Sequence, residues 1–351
     1  MKKEKTFEER YQELKALVPE HLRKEFELIE SGERLPELTG DIPFKNIFDV
    51  DVHPERISLL LRLVYHENLV VTGSAREEAA KASIYSKKTI MDILARLSNN
   101  GLANAEMQVA AQEFIAQRTA IYASELIIMQ YSVKKQQLKS EVTYNDIPTN
   151  YLVVLMKESP KLFKDNPSFI HHKMEVTDTG VELTSLAKIV YIELDKCLQQ
   201  VRGNTYPKDK EELCFLLAFM ADVNGETAKD LAKTNPSYSA IQAELANMNK
   251  DKEAMLAMLA DKYEEIIHNS EIKQARDEGM DIGEKKGIAI GEKKGIAIGE
   301  KKGIAIGEKN ALTRTLALIN LMIQNGQGDD IPRLQTDPVF LNEMFSKYSI
   351  K

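Results

Sequence analysis

From Leu102 to Val109 the side chains alternate, Leu102, Asn104, Glu106 and Gln108 falling on one face of an extended chain and Ala103, Ala105, Met107 and Val109 on the other. Only a β-strand has that period of two, so this stretch fixes a sheet in the fold and one polar face within it. The preceding run, KKTIMDILARL, reads as its partner strand. Ser98, Asn99, Asn100 and Gly101 supply the turn between them. Residues 111–131, AQEFIAQRTAIYASELIIMQY, then switch to helical spacing, and TNYLVVLM at 149–156 and KIVYIEL at 188–194 look like further strands. A hairpin, a helix and later strands make a mixed α/β domain over residues 41–205.

The flanking segments are helical. Residues 1–40 place Leu14, Leu17, His21 and Leu22 at helical spacing and stop at LPELTG, and HPERISLLLRLV sets Ile57, Leu60, Leu61 and Val64 on one face. Residues 206–278 carry three apolar or amphipathic stretches, ELCFLLAFMADV, AIQAELANM and EAMLAMLADKYEEII. An octapeptide repeat occupies 279–310. The remainder, 311–351, reads as a short helical pair broken at Asn325-Gly326 and Gly328-Asp329-Asp330.

Turn length decides what the polar face can do. A two-residue Asn100-Gly101 turn would set Asp92 opposite Val109, on the face away from Glu106. A three-residue Asn99-Asn100-Gly101 turn, with Gly101 left-handed in a bulge, sets Asp92 opposite Gln108 so that Asp92, Glu106 and Gln108 share a face; glycine in the third position favours this form. Two carboxylates so placed form a hard-oxygen site suited to Mg²⁺ or Mn²⁺, ions that also bridge to phosphates. The plainer expectation is an exposed, solvated hairpin face.

The remaining composition narrows the function classes. A formal net charge of −7 is far from that of a protein coated in phosphate contacts, so any DNA site is local. Cys197 and Cys214 show no metal-binding or disulfide-framework spacing, which suits a reducing compartment. With neither a signal-peptide pattern nor a long apolar run, a cytoplasmic protein without membrane contact is expected. His171 and His172 have no carboxylate or Cys at ligand spacing and read as loop.

Taken as an ordered set, these segments resemble the PD-(D/E)XK nuclease-family transposases, also called recombination-promoting nucleases. The matching residues are DIPFKNIF with Asp41, Phe44, Lys45 and Phe48; MDILARLSNNGLANAEMQ with Asp92, Glu106 and Gln108; RTAIY with Arg118 and Tyr122; and YIELDK with Glu193 and Lys196. The absence of Trp from the helical half is a departure. The resemblance implies a restriction-endonuclease-like core, with Asp92 and Glu106 binding the catalytic metal and DNA as substrate.

Gln108 stands where wider PD-(D/E)XK enzymes place Lys. An amide carries no charge, so it can only orient water or a phosphate oxygen, leaving charge stabilisation to the metal and slowing the reaction. Glu55, on the first core helix, is the candidate for a further metal ligand, although a helix N-terminus favours Glu in any case. Arg118 and Tyr122 read as a DNA contact or a buttress of the sheet, and Asp41 with Lys45 as a structural pair or a DNA contact. The expected activity is a Mg²⁺- or Mn²⁺-dependent endodeoxyribonuclease. The alternative is a catalytically weak relative that binds DNA or a protein partner.

The repeat, GEKKGIAI three times from Gly283 to Ile306, has neither the spacing of a phosphate-binding loop nor the apolarity of a membrane GxxxG face, so no nucleotide cofactor is expected. As a helix it is handicapped by eight glycines between Gly279 and Gly307, roughly 6–8 kcal/mol relative to alanine. Its Ile pairs wind around the axis rather than forming a stripe. A weak solvated helix or spacer is expected, with packing against a second copy of the chain as the alternative.

Overall fold

A computed structural model describes residues 6–76, 91–109, 114–137 and 142–350, and the chain divides into two compact units, Met1–Ile267 and His268–Lys351. Lys87 to Ile90, the start of the expected first strand, and residues 111–113 of the expected helix lie outside the described residues.

In the first unit a six-stranded sheet runs in the order β1-β2-β3-β4-β6-β5, with β1 Val71–Ser74, β2 Ile93–Leu97, β3 Leu102–Gln108, β4 Asn150–Met156, β5 Ile170–His172 and β6 Ala187–Glu193. β2 runs antiparallel to both of its neighbours, β1 and β3, while β3, β4 and β6 are parallel, and β5 returns antiparallel along β6. The helices are α1 Phe7–Leu17, α2 Glu20–Glu30, α3 Asp41–Ile47, α4 Pro54–Tyr65, α5 Ile115–Gln137, α6 Lys161–Lys164, α7 Leu194–Arg202, α8 Glu211–Ala221, α9 Glu226–Thr234 and α10 Pro236–Met248, followed by α11 Lys252–Gln324. The aromatic stretch DIPFKNIF is helix α3. His171 and His172, read as loop, lie on edge strand β5.

The central strands are buried on both sides, so β4 reads as the continuous apolar run NYLVVLM that parallel strands require. On one face Ala103, Ala105, Met107, Tyr151, Val153, Leu155, Val190 and Ile192 join the large core with α4 (Ile57, Leu60, Leu61, Val64) and α8. On the other, Leu152, Val154, Met156, Ile189 and Tyr191 pack against Ile115, Tyr122 and Ala123 of α5, while Leu94 and Leu102 meet Leu126 and Met129. The polar set of β3 points toward α5. It is not a solvated face: Asn104, Glu106 and Gln108 are 0%, 1% and 5% exposed.

The hairpin register corrects both turn expectations. Ile93 pairs with Ala105 and Arg96 with Leu102, which carries Asp92 to a position opposite Glu106 rather than Gln108 or Val109. Leu97 N–H donates to Gly101 O, and Asn100 N–H donates to Leu97 O, so the turn residues are Ser98, Asn99 and Asn100. The left-handed residue is Asn100, with φ 64°, and not Gly101. Asparagine accepts that conformation because its short side chain can bond locally. Glycine is needed at 101 for another reason: a Cβ there would lie 2.6 Å from the Thr149 carbonyl oxygen. The shift from the expected register preserves parity, so Asp92 stays on the face of Glu106.

The second unit contains the later part of α11 with α12 Arg333–Thr336 and α13 Pro338–Lys347. Its core is Leu318, Met322, Leu334, Phe340 and Met344. Gly326, at φ 72°, ends α11, and Gln327 N–H donates back to Met322 O, which closes the helix. The repeat is helical; its isoleucines are exposed, and a Cβ added at any glycine from Gly279 to Gly307 would meet nothing within 4 Å. No helix among the described residues is long and apolar enough to cross a membrane.

Candidate active site

At the C-terminal end of β3, facing α5, two carboxylates meet. Asp92, just before β2, donates its backbone N–H to Glu106 Oε1 at 3.1 Å, and its own Oδ2 accepts the Met107 N–H at 2.9 Å. This reciprocal pair is the hairpin ladder continued by side chains. Asn104 Nδ2 also donates to Glu106 Oε1, at 2.8 Å. Glu106 Oε2 is buried with no hydrogen-bond partner among the described residues. An orphaned carboxylate oxygen in a 1% exposed side chain is costly, and its cost shows in the acidity. Burial, then the neighbouring Asp92 charge, pushes Glu106 up to about 7. Burial likewise raises Asp92, against the opposing pull of the Met107 N–H and Lys45.

Two cations flank the pair. Lys45, on α3, lies 2.6 Å from Asp41 Oδ1 and 3.3 Å from Asp92 Oδ1. Burial works to lower its pKa, but the hydrogen bond to Asp41 and the charges of Asp92 and Asp41 outweigh it, and the net shift is upward. The expected Asp41–Lys45 pair is present, and the helix carries its ammonium on to Asp92. From α5, Arg118 donates through Nε to Tyr122 Oη at 2.7 Å and through Nη1 to Gln108 Oε1 at 3.3 Å; its Nη2 is 3.8 Å from Glu106 Oε2. The guanidinium carbon sits 5.2 Å from the Tyr122 ring centre.

Glu55 is not brought to this site. It lies in the first turn of α4 with its side chain 67% exposed, facing His53 Nδ1 at 3.2 Å and Arg56 at 4.0 Å. Its location matches the ordinary preference of a helix N-terminus for an acid. A second polar cluster, missed in the sequence, occupies the end of β6. Glu193 is fully buried, and its Oε1 accepts from Lys196 Nζ at 2.7 Å and lies 2.9 Å from His171 Nε2. Lys196 also donates to the Phe163, Asn166 and Ser168 carbonyls, which ties the loop before β5 to α7. The only sequence signal was the ordered YIELDK match, which gives no contact.

The sequence model of the PD-(D/E)XK nuclease family transposases matches residues 39–277, more than half of the chain and all six strands. The chain belongs to this family. No curated protein and no solved structure matches it. Membership of the PD-(D/E)XK nuclease family transposases brings a nuclease or transposase role with DNA as the substrate, and PD-(D/E)XK nucleases generally use divalent metal ions.

The residues present fit such an ion. Asp92 and Glu106 are hard-oxygen donors on facing strand positions, and Glu106 Oε2, with no hydrogen-bond partner among the described residues and only the Arg118 guanidinium at 3.8 Å, has a lone pair that a divalent cation would engage. Among the described residues no group of three or more His, Cys, Asp or Glu side chains is arranged around one ion position. Two protein carboxylates are the Mg²⁺-like pattern, in which water and substrate phosphate complete the shell.

Proposed function

We propose that this PD-(D/E)XK nuclease family transposase is a Mg²⁺- or Mn²⁺-dependent DNA endonuclease, with Asp92 and Glu106 holding the ion and residues 41–205 forming the catalytic domain. One observation carries the reading: a buried and a largely buried carboxylate on facing strand positions, each bonded to the other strand's backbone and both raised in pKa, with Glu106 Oε2 lacking a hydrogen-bond partner among the described residues. A site that costs stability unless a cation is supplied is what a metal-dependent active site looks like when viewed from its protein ligands. When bound, the ion supplies an acidified water and charge neutralisation at the phosphoryl group.

The chain's own residues do the rest. The Met107 N–H holds Asp92 by one oxygen, at 2.9 Å, while Asn104 and the Asp92 N–H hold Glu106 by one oxygen. Each carboxylate is therefore oriented before any ligand arrives. Gln108, whose Oε1 is engaged by Arg118, extends the polar row to the strand end. Glu55 has no part in this arrangement.

The test is nicking or linearisation of supercoiled plasmid with Mg²⁺ or Mn²⁺, beside Asp92→Ala. Cleavage by the wild type and none by the variant is expected. Equal cleavage in both, or none in either, defeats the enzyme reading and leaves a DNA-binding or protein-interaction module.

A further inference from the structure

Breaking a phosphodiester puts new negative charge on the phosphoryl oxygens, and a site of two carboxylates and a neutral amide has no side-chain cation on β3 to meet it. Beside Lys45, which α3 directs to Asp92 and Asp41, the structure brings one in from α5 toward Glu106 and Gln108. We propose that Arg118 is a catalytic residue that contacts the phosphate backbone at the scissile position, and that Gln108 is the positioning residue that aims it. This rests on the nuclease reading above.

The geometry separates this role from that of a buttress. Tyr122, Gln108 and Glu106 are nearly buried, whereas the Arg118 side chain is 38% exposed. Among the described residues these three buried groups help to locate a guanidinium that still reaches the surface of the site. Tyr122 accepts from Nε and lies beside the guanidinium, Gln108 accepts from Nη1, and Glu106 draws Nη2 from 3.8 Å, beyond hydrogen-bond range. Such a planar fork suits paired phosphate oxygens, which a point charge would not hold in one orientation.

The same contact gives Gln108 a reason. Its 5% exposed amide has an oxygen that can accept from Arg118. Lysine has no acceptor, and placed there it would set a second positive charge against the guanidinium. Gln108 and Arg118 therefore act as one unit: an amide on the strand anchors a cation from the helix. Glu106 links that unit to Asp92, whose backbone N–H it accepts.

The experiment compares wild type, R118Q, R118K, Q108K and Q108K/R118Q, with D92A as the inactive control. Three readouts are used: plasmid cleavage at saturating DNA, Mn²⁺ binding by calorimetry, and anisotropy of a labelled duplex in Ca²⁺ across a salt series. R118Q is expected to cleave about 10²–10³-fold more slowly, the cost of losing one preorganised charge-stabilising donor. Its Mn²⁺ binding is unchanged or tighter, since a cation competing for Glu106 is gone. Its salt slope is shallower by about one. Q108K/R118Q, which returns the charge from the strand, recovers rate over R118Q, a rescue that a purely structural Arg118 could not show.

Wild-type cleavage and salt slope in R118Q overturn the proposal, as does a double variant that binds Mn²⁺ yet shows neither rate recovery nor a restored slope. Should R118Q melt below the assay temperature, R118K replaces it: a reduced rate at an unchanged melting temperature supports the contact, and a wild-type rate overturns it. A wild type that fails to cleave defeats the nuclease reading instead. The duplex arm then decides alone, equal slopes in R118Q and wild type being the overturning result.

Discussion

Replacing Glu106 by Gln should stabilise the metal-free protein while abolishing its cleavage activity. Glutamine keeps the shape and can keep both hydrogen bonds to the Oε1 position, from Asp92 N–H and Asn104 Nδ2. What it removes is a charge that burial and Asp92 oppose. The folded-state value of about 7 lies above the ordinary 4.5, so between these limits the native state binds more protons than the unfolded chain. Stability therefore falls as pH rises through this window and levels off above it.

The gap of roughly 2.5 units corresponds to about 3 kcal/mol at pH 8, at 1.36 kcal/mol per unit. For a unit of this size that is roughly 6–12 °C in melting temperature. The assay is thermal or urea unfolding in chelator at pH 5 and pH 8. Wild type should lose stability between the two and E106Q should lose less, ending above wild type at pH 8. Adding Mn²⁺ should raise the wild type and leave E106Q unmoved. An E106Q protein no more stable than wild type at pH 8 in chelator would refute the strained-carboxylate argument, whatever its activity.

Two further outcomes test the scaffold. Gly101→Ala places a methyl 2.6 Å from the Thr149 carbonyl oxygen and should cost about 1–3 kcal/mol in urea unfolding, whereas Asn100→Gly, at the left-handed position, should change stability by only a few tenths; the reverse ranking would contradict the turn. Alanine at Gly287, Gly291 and Gly295 has open space at each Cβ and should increase helicity by circular dichroism, stabilising the helix by up to about 1 kcal/mol per site; a loss of helicity would mean those faces are covered by something else.

What the sequence disclosed was local. The alternation from Ala103 to Val109 announced β3 and its polar face, and the apolar runs announced β4 and β6, because period and composition act within a few residues. Burial of that polar face was hidden, since it depends on α5 packing across the sheet, where Leu126 and Met129 meet Leu94 and Leu102, and on β4 closing the edge of β3 some 48 positions later. Asn100 and Gly101 are both tolerant of positive φ, so the turn residues alone did not say which one uses it. The carbonyl that makes glycine necessary at 101 belongs to Thr149. β1 and β5, four and three residues long, are too short to show a period, and β1 is interrupted by Gly73 in an irregular register. Lys45 was paired correctly with Asp41 at i,i+4, but its contact with Asp92 crosses 47 residues and leaves no pattern to read.

The turn between β2 and β3 has a consequence for how such a gene can change. Side chains alternate faces, so one codon gained or lost at Ser98–Asn100 would send Asp92 to the α4 side of the sheet if the turn kept its three residues and β2 slipped along β3 to absorb the change. Two codons would restore the face and cost only a displacement along the strand. Point substitutions at the turn are graded injuries, but insertions there are sorted by arithmetic: odd numbers disconnect the two carboxylates and even numbers leave them facing the same helix. A collection of random insertions at this loop, scored for plasmid cleavage, should therefore show survivors that alternate with length.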